Sequence, residues 1–304
     1  MNAILLAAGV GKRLRPITDL MPKALLPVVN KPIIEINIER LIASGAEKIY
    51  INLFHKPEMI KTFLEKFSDV VHIAVEPQLR GTGGALLNFK DFLKEDFIIY
   101  SCDVISNVNF EDIKKLHGSH KAMATLILLK NEGTNFIKID ENNVVKEISK
   151  TTHSNESNYY TFSGISVFSE KVFSYLPQTE YFSMIDVLQN IINNGDVIMG
   201  FPKEMMWFNI NSDYAYWKIH DDILRGRVQL NGIKIESSVY IDPSSDVQTK
   251  NLDGFVSIGA DCYISDKVSL RNTVVFYDSS ITDGDFSNCL LSDRFCIQID
   301  ERGI

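Results

Sequence analysis

Short apolar runs alternate with helical patterns along the first hundred residues. NAILLA at 2–7 is short, apolar and followed by glycine, which predicts a strand buried on both faces. IEINIERLIAS at 34–44 repeats its apolar positions at helical spacing, and Gly45 follows as a C-cap. KIYINL (48–53), VHIAVE (71–76) and DFIIYSCD (96–103) predict three further strands. Between them, PEMIKTFLEKF (57–67) predicts a helix with Pro57 in its first turn. GTGGALLNFKDFL (81–93) predicts a glycine turn running into a helix. This alternation is the pattern of a doubly wound α/β domain with a mostly parallel sheet.

The pattern then changes twice. ATLILLK (124–130), NFIKID (135–140), NVVKEIS (143–149) and YTFSGISVF (160–168) predict strands in quick succession, and so antiparallel additions that make the sheet mixed. Helical patterns return at 169–176, 183–193 and 217–226. Beyond about residue 230 they vanish. Val256, Cys262, Val268 and Val274 stand six apart, and Ile258, Ile264, Leu270 and Phe276 repeat that period two residues later. A six-residue period with apolar inward positions predicts a short hexapeptide β-helix. The expected domains are therefore 1–228 and 229–304. An array this short needs support from the first domain or from a second subunit, which makes a homo-oligomer the expected state.

Composition narrows the function. The 304 residues are 45% hydrophobic and 23% charged, a globular chain with room for one large or two ordinary domains. Its 39 acidic against 31 basic residues and net charge of -8 argue against a general nucleic-acid or membrane-surface binder. No run approaches the roughly 18 apolar residues of a membrane span, and the first apolar run is too short for a signal peptide. Cys102, Cys262, Cys289 and Cys296 sit at no metal-ligand spacing, so reduced thiols in the cytoplasm are expected.

Against this acidic background stands LAAGVGKRLRPITDLMPKALLPV, residues 6–28. It holds Lys12, Arg13, Arg15 and Lys23 but a single acid, Asp19. A P-loop fails here, because Leu6 stands where its first glycine belongs and Arg13 where Ser or Thr belongs. A dinucleotide fingerprint fails at Leu14. The physics still favours a polyphosphate. Glycines let backbone N–H groups approach phosphate oxygens, Arg13 offers a bidentate grip, and Lys23 a mobile point charge. Pro16, Pro22 and Pro27 lower the entropy of holding those cations in place.

The stretch resembles the signature of the sugar-1-phosphate nucleotidyltransferases: L-A-A/G-G-x-G-x-R-L-x-P-x-T, then P-K-x-L-x-P-V. Ala24 is a variant where proline is frequent. GTGGAL at 81–86, Asp103 at a strand end, FSGISVF at 162–168 and WFNINSDY at 207–214 extend the likeness over most of residues 1–226. Mannose-1-phosphate guanylyltransferases and uridylyltransferases of muramic acid recycling are the members it most resembles. The tail is similar to the left-handed β-helix that several members append.

The resemblance implies that an NTP and a sugar 1-phosphate give an NDP-sugar and pyrophosphate. It assigns the leaving phosphates to Arg13, a bridge towards the α-phosphate to Lys23, and nucleotide contacts to Leu6, Ala8, Gly9 and Gly11. It places base recognition at Glu76, Gly81 and Thr82, sugar-phosphate contacts at Lys150 and Gly164, and Mg²⁺ at Asp103 and position 209. A carboxylate at Glu76 only accepts, which suits the donors of guanine. GTP with mannose 1-phosphate is therefore the first expectation and UTP the next. Two departures stand out. Ser149 replaces the glutamate that usually precedes Lys150, and Asn209 replaces an aspartate that would carry charge to the metal. Asn209 keeps open an alternative, a regulatory subunit that binds nucleotide sugar with weak or no turnover. A cytidylyltransferase for a non-sugar phosphate alcohol shares the first signature, but the tail and FSGISVF argue against it.

Overall fold

The computed structural model describes residues 1–130, 136–149, 159–230, 232–233 and 235–300. The chain forms two compact units. One comprises Met1–Val10 and Asn37–Trp207, the other Gly11–Ile36 and Phe208–Ile304. The second unit joins two segments distant in sequence. It also groups the basic segment and the last long helix with the C-terminal strands.

The first unit holds strands β1 (Ala3–Leu6), β2 (Ile49–Leu53), β3 (Val71–Val75), β4 (Phe97–Ser101), β5 (Ala124–Leu129), β6 (Phe136–Ile139), β7 (Val145–Ser149), β8 (Tyr159–Phe168) and β9 (Ile198–Pro202). They form one mixed sheet. β1 lies between β2 and β4, parallel to both, and β3 extends the row beyond β2. β8 runs antiparallel to β4. Its first residues pair with β6, and those from Thr161 to Phe168 pair with β5, with a register shift between Phe162 and Ser166. β9 joins β5 in parallel, and β7 joins β6 antiparallel. The sheet is thus mixed, as the change of pattern after residue 124 predicts. β2 and β5 are buried at every position, the mark of strands covered on both faces.

Helices follow the apolar periodicity, with α1 at Ile33–Ala43, α2 at Pro57–Leu64, α3 at Phe110–His120 and α4 at Met184–Asn193. Asn109 caps α3, and a Ser183/Asp186 capping box opens α4. Two expectations are corrected. GTGGALLNFKDFL makes only a helical turn at Gly81–Gly84 and a 3₁₀ turn at Ala85–Asn88, because three glycines in four residues propagate a helix poorly. Residues Glu170–Tyr175 are 3₁₀ rather than α.

In the second unit, the segment after Gly11 folds into short turns and a small hairpin that pairs Pro27–Val28 with Lys31–Pro32. Helix α5 spans Asp213–Leu224. Strands β10 (Val239–Ile241), β11 (Asn251–Ile258), β12 (Val268–Val275) and β13 (Gly284–Leu291) form a parallel ladder in which Val239, Val256, Thr273 and Cys289 succeed one another. A second parallel row joins Asp246–Val247, Tyr263–Ile264 and Ser280–Ile281. All eight positions of the six-residue pattern are buried. At the turn inside each long strand the backbone is left-handed, at Gly254, Asn272 and Asn288 in successive strands. Such positions favour Gly and Asn. Asn272 Oδ1 accepts from the Phe255 amide, and its Nδ2 donates to Asn288 Oδ1 at 2.9 Å. β14 (Cys296–Gln298) closes the ladder antiparallel to β13.

α5 fastens the parts of this unit together. Trp217 Nε1 donates to Asn272 O at 2.7 Å, and the Tyr216 hydroxyl donates to Pro27 O at 2.5 Å. His220 Nε2 donates to the same Pro27 carbonyl at 3.2 Å. Burial holds the His220 imidazole neutral, with its pKa down to about 3 from an ordinary 6.5. The unfolded chain takes up this proton near pH 6.5 while the fold resists it to about 3. Stability is therefore expected to fall as pH drops through that window, by about 1.4 kcal/mol per pH unit at most from this residue. Burial also lowers His117, against the opposing pull of Asp96. Denaturant titrations at pH 7 and 5 should show a flatter loss for His220→Gln than for the natural chain. Equal losses would remove His220 as the cause.

Among the described residues no helix is long and apolar enough to cross a membrane. The four cysteines form no disulfide, and Cys296 is exposed while the others are buried.

Candidate active site

In the first unit a buried polar chain ties the carboxyl ends of the parallel strands. The Ala7 amide, just past β1, donates to Asn52 Oδ1 on β2 at 3.1 Å. Asn52 Nδ2 donates to Glu76 Oε1 at 2.8 Å, just past β3. Asn88 Nδ2 reaches the same oxygen at 3.1 Å, and the Arg80 amide donates to Glu76 Oε2 at 3.0 Å. Glu76 is 3% exposed. Both of its oxygens thus serve protein donors, which helps to place Arg80 and the glycine turn. Glu76→Gln would set an amide donor against other donors and is expected to cost about 1–3 kcal/mol. An unchanged denaturation midpoint would contradict this.

The glycines of GTGG are demanded by packing. A Cβ on Gly81 would lie 2.5 Å from Phe182 O, and one on Gly83 2.4 Å from Ser183 O. The amides of Gly83 and Gly84 both donate to Phe182 O at 3.1 Å. Thr82 Oγ1 accepts from the Met184 amide at 2.9 Å, at the start of α4. Gly81 and Thr82 are therefore engaged with residues 182–184 of their own chain.

Asp103 follows β4 by two residues. Asn37, fully buried on α1, donates from Nδ2 to Cys102 O at 2.8 Å and to Val104 O at 3.0 Å. It therefore fixes the backbone on both sides of Asp103. An asparagine inside the apolar face of IEINIERL was the available signal for this role. Gly164, with φ +81°, sits against the same place. A Cβ there would lie 2.9 Å from Ser101 Oγ. The structure thus brings Gly164 beside the strand end that carries Asp103. Lys150 lies outside the described residues.

The two glycines of the G-x-G differ. Leu6 ends β1, and Ala8 is buried next to an exposed Gly9 where an added Cβ would meet no atom within 4 Å. Gly11, in the second unit, has φ +69°, and a Cβ would lie 2.7 Å from Thr18 Cγ2. Thr18 Oγ1 donates to Gly11 O at 2.9 Å, which closes this turn. Buried Leu14 anchors the following 3₁₀ turn, so that Lys12, Arg13 and Arg15 stand exposed. Arg15 pairs with Asp19 at 3.2 Å. Lys23, half-buried, opens the next turn after Pro22.

Also in the second unit, Asn209 ends a short strand at Trp207–Asn209. Its Oδ1 is buried and has no hydrogen-bond donor among the described residues. The same holds for Oδ1 of Asp213, the first residue of α5, whose pKa burial raises. Orphaned acceptor oxygens are what a cation ligand looks like before its ion is added, so Asn209 fits the metal role. Asp213 went unnoticed in the sequence, where it reads as an ordinary acid in a first helical turn.

Residues 2–226 match the family described as "Nucleotidyl transferase". The chain belongs to the sugar-1-phosphate nucleotidyltransferases. Within this family it is similar to the UTP–glucose-1-phosphate uridylyltransferase of Synechocystis sp., at 25% identity over 303 residues, 89% of this chain and 76% of that protein. It is 30% identical to the bifunctional protein GlmU of Methanococcus maripaludis over 248 residues, 79% of this chain, and spans 59% of that relative's length. A mannose-1-phosphate guanyltransferase of Gibberella zeae is 35% identical over 139 residues, covering 43% of this chain and 38% of that protein. A solved structure described as a putative glucose-1-phosphate thymidylyltransferase from Bacillus anthracis shares the nucleotidyltransferase fold. Its TM-score is 0.64 at 23% identity, over 72% of this chain and 93% of that one.

Proposed function

We propose that this nucleotidyltransferase condenses an NTP with a sugar 1-phosphate to give an NDP-sugar and pyrophosphate. The observation that carries the reading is the turn after Gly11. It is closed by Thr18, anchored by Leu14, and leaves Arg13 exposed to solvent. In-line attack of the sugar phosphate oxygen on the α-phosphorus needs no covalent enzyme intermediate, so the protein's work is positioning and charge stabilisation. Arg13 takes the charge that gathers on the leaving pyrophosphate, and Lys23 steadies the α-phosphate. Gly9, Leu6 and Ala8 border the nucleotide, and Gly164 lets a sugar hydroxyl near the backbone. Lys150 is assigned to the sugar phosphate on resemblance alone. Asp103 and Asn209 would hold Mg²⁺, which when bound supplies positive charge against the phosphates.

GTP with mannose 1-phosphate and UTP with glucose 1-phosphate are the pairs in view, since relatives carry both names. Three protein donors already engage Glu76, which weakens the chemical ground for guanine over uracil. The parallel ladder with all eight hexapeptide positions buried supports a short left-handed β-helix at the C-terminus. Such an array would serve self-association in a cytoplasmic enzyme. The neutral Asn209 favours the second reading, a nucleotide-sugar-binding regulatory subunit. Pyrophosphate release measured across the four NTPs against mannose, glucose and N-acetylmuramic acid 1-phosphates separates the two. One productive pair names the substrates. Binding of NDP-sugars with silence across the whole matrix would replace the transferase by the regulatory subunit.

A further inference from the structure

Position 209 is a neutral asparagine, yet a carboxylate, Asp213, stands four residues on. Asn209 Oδ1 and Asp213 Oδ1 are both buried acceptors without a donor among the described residues. The chain between them is drawn tight. The Asn211 amide donates back to Asn209 O at 2.8 Å, Ile210 is fully buried, and Ser212 caps α5 by accepting from the Ala215 amide. Strand therefore gives way to helix within a few residues, with Asn209 ending the one and Asp213 opening the other. Neither a carbonyl nor a carboxylate oxygen can donate to the other. Left as they are, two buried acceptors cost free energy, and the carboxylate costs more. A hard divalent cation is satisfied by such oxygens alone.

We propose that Asp213 is a metal ligand of this chain, supplying with Asn209 Oδ1 the negative charge that Asn209 itself lacks. The inference rests on the transferase reading for its choice of Mg²⁺, but the two oxygens define the cation's class without it. A first-turn aspartate also favours the α5 dipole, but that role leaves the buried Oδ1 of Asn209 without a partner.

Mn²⁺ is the probe, followed by the EPR signal of the free ion during titration of the full chain, with and without GTP or UTP. Asp213→Asn is expected to weaken Mn²⁺ binding about 10- to 100-fold, and Asn209→Ala similarly, with the thermal midpoint of the metal-free protein unchanged or raised in Asp213→Asn. Asp213→Asn binding Mn²⁺ like the natural chain, while Asp103→Asn does not, would overturn the assignment of Asp213 and leave the metal-dependent transferase standing. A natural chain that binds no Mn²⁺ even with nucleotide would overturn the inference. Pyrophosphate release, measured separately, would then decide whether the transferase reading falls with it.

Discussion

Arg13→Ala is expected to lower kcat/KM for nucleotidyl transfer by about 10²- to 10³-fold, the usual loss when one preorganised donor to a charged transition state is removed. The side chain is exposed on a 3₁₀ turn whose geometry comes from Gly11, Thr18 and Leu14. Removing it should therefore leave folding stability within about 0.5 kcal/mol. Arg13→Lys should recover only part of the activity, because an ammonium cannot grip two phosphate oxygens in one plane. Arg15 offers a control on the same turn, since its guanidinium already pairs with Asp19. Steady-state kinetics with a denaturation curve for each variant check this. Full activity in Arg13→Ala would remove the loop from the chemistry.

Gly83→Ala should be the most damaging small substitution in the first unit, at about 3 kcal/mol or more. A methyl there would stand 2.4 Å from Ser183 O and 2.8 Å from Phe182 Cδ2, and backbone cannot yield as a side-chain tip can. Pushing the strands of chain apart also endangers two amide bonds to Phe182 O, so overpacking and lost hydrogen bonds add. Gly118→Ala is the counterpart. It lies in α3 with nothing within 4 Å of an added Cβ, and alanine there should stabilise by about 0.5–1 kcal/mol. Denaturant midpoints for the pair give the comparison, and a harmless Gly83→Ala would show that the 182–184 segment is free to move away.

Periodicity made the repeating parts legible. β1, β2 and β4 appear as apolar runs because strands covered on both faces need nothing else. The eight buried positions from Val256 to Phe276 appear because each strand of the ladder faces the same interior. What stayed hidden depends on contacts distant in sequence. The GTGG segment looks like a ligand loop, yet its glycines answer to Phe182 and Ser183, about a hundred residues away. Glu76 looks like an available carboxylate until Asn52 and Asn88 are seen to occupy it. Asn37 gave a faint local signal, one polar residue on an apolar helix face, but its partners at Cys102 and Val104 could not be read from it. Asp213 could not be distinguished from a dipole-stabilising acid without knowing that its oxygen is buried. The basic loop was conspicuous because it opposes the charge of the whole chain, a contrast that needs no fold to be seen.

The most direct measurement is ³¹P NMR of purified protein with Mg²⁺, one NTP and one sugar 1-phosphate, taken over the pairs GTP with mannose 1-phosphate and UTP with glucose 1-phosphate. The account predicts that, for at least one pair, the sugar phosphate and NTP signals decline together. A coupled diphosphate pair and a pyrophosphate line should rise in equal amount, with the conversion lost in Arg13→Ala. NTP and sugar phosphate signals that persist for both pairs, or NTP hydrolysis that ignores the sugar phosphate, would contradict it.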